Sequence, residues 1–352
     1  MIIRGAGIGA GNRGAGEHCC SNPDDEGATT TAAVIAHTAF GRPLFRELRT
    51  PGVSMSDTNF PARRYMGMMA HLPMFLARER GAALLICYGV GNTARSLLSH
   101  PDLQRLDVVD LSREVIDASP HFAAVTAGDP LRDRRAHVII DDGRHHLVTS
   151  GARYDVITSE PPPPNNAGVV NLYAREYYRA ARRALRPGGA LTQWFPIAQL
   201  ASEETLAMVR AMADEFPWVG LFYGQANQLL VVALDAPPRL DLDAWDARAA
   251  VPTVAADLRV SGIAGVEDLA AAWLQGDAGL RAVTRDVEAV TDDLPSIQYP
   301  ARAVRKPTEV PRGLVGDPME VLGFLASTSA PMRARIVAAA HAMRAVETAL
   351  PL

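Results

Sequence analysis

The stretch Leu84-Leu85-Ile86-Cys87-Tyr88-Gly89-Val90-Gly91-Asn92, followed by Leu106-Asp107-Val108-Val109-Asp110, constrains this chain more than any other feature. An apolar run of strand length opens into a glycine turn and a helical segment. A second apolar run then ends in a carboxylate about 20 residues beyond the turn, the layout with which α/β folds hold a nucleoside. Gly89 and Gly91 remove Cβ atoms that would keep a ligand off the backbone, and they permit positive φ. Asp110, at the carboxyl edge of the predicted sheet, can accept hydrogen bonds from both ribose hydroxyls. Thr93 and Ala94 stand where a dinucleotide loop would continue to its third glycine, which argues against NAD. The earlier stretch Gly5-Ala6-Gly7-Ile8-Gly9 to Gly16 has similar letters but only Met1-Ile2-Ile3 ahead of it, and it reads as an Ala/Gly-biased leader.

Around this unit, apolar runs recur at 84–88, 107–110, 137–140, 154–159, 190–195 and 229–234. Helical patterns fall at 65–76, 93–99, 113–118, 174–185 and 202–215. Strands alternating with helices predict an α/β fold with a doubly wound, mostly parallel, Rossmann-like sheet. Arg186-Pro187-Gly188-Gly189 reads as a helix stop leading into the next strand. The spacing divides the chain into a leader with a small β region over 1–61, containing a hairpin within 33–48, and a nucleoside-binding core over 62–236. A helical insert completing the core follows over 237–300, then a helical extension over 301–352 whose last helix, 331–350, has an Ala-rich packing face.

The bulk numbers exclude several function classes. A chain of 352 residues with 48% apolar and 21% charged residues can bury a full core and is not disordered. The net charge of −4, with basic residues scattered, leaves no electrostatic footprint for nucleic acid. Lys306 is the only lysine, so a Schiff base on a core lysine is not expected. Cys19-Cys20 and Cys87, the last placed in the first predicted strand, form neither a disulfide framework nor a zinc spacing, which predicts a reducing cytoplasm. No apolar run approaches the roughly 20 residues of a membrane span, so a membrane partner is not expected either.

Further carboxylates fall at predicted strand ends. Asp141-Asp142-Gly143 follows Val138-Ile139-Ile140 and can accept from an exocyclic amine such as that of adenine. Glu160 opens the loop Pro161-Pro162-Pro163-Pro164-Asn165-Asn166-Ala167-Gly168, and Asp292-Asp293 precedes Leu294-Pro295. Each alone is ordinarily a solvated loop acid, but with Asp110 they lie in register along one sheet edge and predict a shared site. His71, His145 and His146 read as core or surface histidines, and Trp194 as a pocket wall or core. Tyr173, Tyr177 and Tyr178 have a packing spacing, although Tyr173 directly follows the proline loop and can line a pocket.

Residues 65–299 resemble the spermidine synthase (polyamine aminopropyltransferase) family. The resemblance rests on the helix from Tyr65 to Leu72-Pro73, on Gly89-Val90-Gly91, Asp110, Asp142-Gly143, Tyr154-Asp155-Val156-Ile157, Leu172-Tyr173 to Tyr178, and Leu185-Arg186-Pro187-Gly188-Gly189. A divergent subgroup is matched further by Ser159-Glu160-Pro161, Ala167-Gly168-Val169, Gln193-Trp194 and Thr291-Asp292-Asp293. The resemblance implies a sulfonium nucleoside donor, S-adenosylmethionine or its decarboxylated form. Gly89, Gly91, Asn92, Asp110 and Leu111 would lie at the ribose and donor tail, Asp142 and Gly143 at the adenine, and Glu160 where the family has its catalytic Asp.

The implied reaction is displacement at a carbon bonded to S⁺, with Glu160, together with Tyr65, as the base for an amine acceptor and no metal required. Tyr65, Asn165, Asn166, Tyr173, Trp194 and Asp292 would face that small-molecule amine or metabolite, and a homodimer is expected. Asn92 replaces an acid that would face the donor's amino end, Pro163 a second loop Asp, and Met66-Gly67 the family's Gln-Glu. These departures predict an altered donor tail or acceptor. Two alternatives stand beside aminopropyl transfer: a methyltransferase or 3-amino-3-carboxypropyltransferase using intact S-adenosylmethionine, and a catalytically silent nucleoside-binding protein.

Overall fold

The structure, a computed structural model, describes residues 31–50, 53–164, 166, 168–197, 200–225, 228–298, 313–327 and 329–349. The leader, Cys19-Cys20, Asn165 and Lys306 lie outside the described residues.

Among the described residues, strands β1 (Ala33–Ala39), β2 (Arg42–Thr50) and β3 (Val53–Asp57) form a small antiparallel sheet. Helix α1 (Phe60–Leu76) follows, with Asn59 as its N-cap accepting the amide of Ala62. The core then alternates strands and helices: β4 (Ala82–Ile86), α2 (Asn92–Leu98), β5 (Arg105–Asp110), α3 (Arg113–Asp117), β6 (Ala136–Ile140), α4 (Gly143–Thr149), β7 (Tyr154–Ser159), α5 (Arg175–Ala184), β8 (Leu185–Phe195), α6 (Ser202–Glu215), β9 (Trp218–Gln225) and β10 (Gln228–Leu234). Beyond it come β11 (Leu240–Asp241), α7 (Leu242–Ala249), α8 (Pro252–Val260), α9 (Val266–Ala271), β12 (Trp273–Gln275), α10 (Asp277–Val283), β13 (Leu325–Ser327) and α11 (Ala330–Ala349).

An eight-stranded sheet in the order β12-β9-β10-β8-β7-β4-β5-β6 is parallel from β8 to β6, while β10, β9 and β12 pair antiparallel to their neighbours. Every residue of β4 and β7 is buried, as central parallel strands covered on both faces require. One face packs on α1, α2, α7, α8 and α9, and the other on α5 and α6. From β4 the chain winds outward through β5 and β6, then returns to β7 on the other side of β4. The resulting crevice between β4 and β7 is where open α/β sheets receive ligands.

Three features depart from the sequence reading. Helix α4 and strands β3, β9, β11, β12 and β13 are additional elements; β9 is apolar from Trp218 to Tyr223 but for Gly220, and ends in Gly224-Gln225. Cys87 is not a strand residue, because β4 ends at Ile86 and Cys87 turns out with φ +67°. Arg186-Pro187-Gly188-Gly189 lies within β8, where it is absorbed as a bulge between the Tyr154–Leu185 and Val156–Ala190 pairs with Gly188 at φ +79°. Among the described residues no helix is long and apolar enough to cross a membrane.

Candidate active site

The glycine turn is built by backbone geometry and steric exclusion. Gly89 and Gly91 sit at φ +58° and +84°, and a Cβ on Gly91 would meet the Tyr88 hydroxyl at 2.5 Å. Tyr88 is itself fixed by a 2.5 Å hydrogen bond with Ser119. Asp110 closes the turn from β5: its Oδ2 accepts the amide of Tyr88 at 2.8 Å and its Oδ1 that of Ser112 at 2.9 Å. Each oxygen keeps a second lone pair for a ligand hydroxyl. Burial pushes the Asp110 carboxyl up, the two backbone bonds opposing it. Leu111 beside it is exposed.

The four strand ends are tied edge to edge, Cys87 donating to Val109, Asp141 to Asp110, and Glu160 to the carbonyl of Ile86. Their side chains therefore share one rim. Asp142 caps α4 by accepting the amide of His145 at 2.8 Å, and Gly143 packs where a Cβ would run into Ile86. Cys87 packs against the cluster holding Tyr173, Tyr177 and Tyr178, and burial pushes its thiol well above the usual range. A non-glycine residue in the left-handed region beside a glycine turn is the kind of local strain that ligand sites keep.

On the other side of the crevice, the Tyr65 hydroxyl donates to Glu160 Oε1 at 2.6 Å. Glu160 is partly buried, and burial pushes its carboxyl up to about 7, the Tyr65 hydrogen bond lowering it and the charge of Asp57 raising it. Trp194 lies over Tyr65 with ring centroids 6.5 Å apart, its indole N–H held by Gln228. Gly224 makes room, since a Cβ there would meet Tyr65 at 2.8 Å.

The structure redistributes several of the predicted roles. Asn92 is fully buried, and its amide donates to the Asp57 carbonyl at 3.1 Å and to the sulfur of Met66 at 3.3 Å. Its side chain thus faces inward, joining the start of α2 to the end of β3 and to α1. A Cβ on Gly67 would run into Ser261, which explains the small residue there by packing. Tyr173 is fully buried, its hydroxyl bonded to the carbonyls of Pro161 and Pro162, so it braces the proline loop from beneath. Asp292 is engaged by both guanidinium nitrogens of Arg144, next to Asp142, so its carboxylate fastens segment 291–298 to the start of α4. Asn166 is exposed.

His71 is a core histidine, His146 bonds Tyr154, and His145 pairs with Asp141 at the surface. Asp57 is the residue the sequence reading missed. It ends β3, its carboxyl is pushed up by burial, and its charge acts on both Tyr65 and Glu160. Only the helix-start pattern Asn59-Phe60-Pro61 just after it marks its neighbourhood in the sequence. Among the described residues no group of three or more His, Cys, Asp and Glu side chains is arranged to hold a metal ion.

Residues 62–223 match the family described as Spermine/spermidine synthase domain. The polyamine aminopropyltransferase of Nitrosomonas europaea is 33% identical over 154 residues, 43% of this chain and 46% of that protein. That of Bacillus subtilis is 34% identical over 161 residues, 45% of this chain and 56% of the relative. The chain spans about half the length of these curated relatives. Among solved structures, the spermidine synthase of Thermotoga maritima aligns with a TM-score of 0.51 at 20% identity, covering 60% of this chain and 71% of that one. A probable spermidine synthase from Corynebacterium glutamicum aligns at 0.54 with 17% identity, covering 78% and 98%. These two show the fold. Residues 62–223 are thus similar to the spermine/spermidine synthase domain, and the fold around them is that of the spermidine synthase structures.

Proposed function

We propose that the protein transfers an aminopropyl-type group from an S-adenosyl sulfonium donor to a small-molecule amine, with Glu160 as the base. The carrying observation is the Tyr65–Glu160 pair, in which a carboxylate raised to about 7 stands at the mouth of the β4/β7 crevice opposite the Asp110 turn. In the reading, Asp110 holds the ribose and Asp142 the adenine amine, which points the donor's sulfonium carbon across the crevice toward Glu160. The amine attacks that carbon from behind, the C–S⁺ bond breaks, and a neutral thioether departs without an acid. An alkylamine is protonated near pH 7, its pKa being about 10, so the protein has to accept its proton. A carboxylate raised by burial is a stronger base than an ordinary glutamate.

Decarboxylated S-adenosylmethionine is the donor this geometry favours. Asp57 and Glu160 make the acceptor side acidic, which suits an ammonium tail and disfavours an added carboxylate. Incubation with putrescine and each donor, followed by nucleoside chromatography, tests the proposal. Methylthioadenosine from the decarboxylated donor is expected; S-adenosylhomocysteine from the intact donor would replace the reading by methyl transfer. Unchanged turnover in Glu160→Gln would remove Glu160 as the base.

A further inference from the structure

A buried polar cluster joins the site to α8, which lies outside the matched domain. Asp257 of α8 is buried, its Oδ1 paired with His71 Nε2 of α1 at 3.0 Å and its Oδ2 with Arg95 Nε of α2 at 2.7 Å. His71 Nδ1 in turn meets His100 Nε2 at 2.9 Å. Arg95 spreads its remaining nitrogens over Asn92 Oδ1 at 3.3 Å, Ser96 Oγ at 3.4 Å and Ser261 Oγ at 3.3 Å. Asn92 opens α2 at the glycine turn, and its other end donates to the carbonyl of Asp57. One unbroken line of contacts thus runs from Asp257 through Arg95 and Asn92 to the turn beside Asp110 and to the end of β3.

Removing such charged groups from water is costly, and apolar side chains of similar size would hold two helices together as well. What they would not provide is direction. A guanidinium that holds a carboxylate through Nε and three side-chain oxygens through its other nitrogens fixes the rotation of α2 about its axis, and hence where the turn points its glycines. We propose that Asp257 is a positioning residue of the nucleoside site, holding Arg95 so that Asn92 fixes the glycine turn against β3, and that α8 is a working part of that site. The proposal rests on the reading of the turn as a nucleoside site.

The test uses the full chain and calorimetric titration with methylthioadenosine, beside thermal denaturation. Asp257→Asn keeps the shape and loses the charge. Arg95→Lys keeps the charge but cannot reach Asn92, Ser96 and Ser261 together. Glu267→Gln, which breaks the α9 to α11 pair with Arg335 at 2.5 Å, loosens the same C-terminal region away from the cluster. Folded Asp257→Asn and Arg95→Lys proteins are expected to bind methylthioadenosine about tenfold more weakly, and Glu267→Gln as the wild type does. In turnover the loss is expected in the donor's KM, with the acceptor's KM and kcat unchanged. Wild-type affinity in either folded cluster variant overturns the proposal, as does an equal loss in Glu267→Gln. If Asp257→Asn does not fold, Arg95→Lys decides. A wild-type protein that binds no methylthioadenosine removes the nucleoside reading itself and the proposal with it.

Discussion

Glu160 illustrates how one side chain couples activity to stability. In the proposed reaction a Glu160 carboxyl raised to about 7 becomes mostly charged only above that value, so kcat/KM is expected to rise with pH through about 7. The Tyr65 hydrogen bond lowers this value, so Tyr65→Phe should move the acid limb of the profile to higher pH; a limb that stays in place removes Tyr65 from the site. The charge of Asp57 raises it, so Asp57→Asn should move the limb the other way. Because the folded-state value lies above the unfolded one, the carboxyl contributes its full stability below about pH 4 and loses it as the pH rises through about 7. Glu160→Gln is therefore expected to lose about 10²- to 10⁴-fold in kcat. It should also gain about 1–3 kcal/mol of stability at pH 8, read from denaturant titrations. Glu160 was legible in the sequence as a strand-end acid. Its pairing with Tyr65, 95 positions earlier, follows from the register of the fold.

At the scale of elements, the strand-turn-helix units carry both the shape and the proposed ligand contacts, and substitutions separate the two. Gly91→Ala places a Cβ at φ +84° against Tyr88, so a loss of about 1–2 kcal/mol together with loss of nucleoside binding is expected from melting curves and calorimetry. Asp142 is the N-cap of α4 in the structure and the proposed acceptor for an adenine amine. Asp142→Asn retains a capping oxygen and should keep stability with a small loss of affinity. Asp142→Ala should lose about 1 kcal/mol and the affinity as well. Equal affinity in the two variants would leave Asp142 as a cap only. The strands and helices of this region were legible because central parallel strands are continuous apolar runs and their helices are periodic. The seven-residue α4 was not, since its sequence Gly-Arg-His-His-Leu-Val-Thr buries only Gly143, His146 and Leu147 and shows little period.

At the scale of the molecule, the small N-terminal sheet and the helices after β10 both reach the site, Asp57 from one side and Asp257 from the other. The β1–β2 hairpin exposes Phe40 and Leu44, an apolar tip on which we propose that the homodimer implied by the resemblance is built. Light scattering should then give twice the chain mass of 37.7 kDa, and Phe40→Asp should reduce it to one; a wild-type monomer ends that proposal. By itself the sequence determined the α/β class, the glycine turn, and the strand-end positions of Asp110, Asp142 and Glu160, because backbone periodicity and glycine conformations are local properties. Tertiary structure alone decided which polar groups are left for a ligand. Asn92, Tyr173 and Asp292 look equally available in the sequence, but each is engaged by residues distant along the chain, Asp57, the proline-loop carbonyls and Arg144. Buried polar groups must be paired, and the partner is set by packing that no local pattern records.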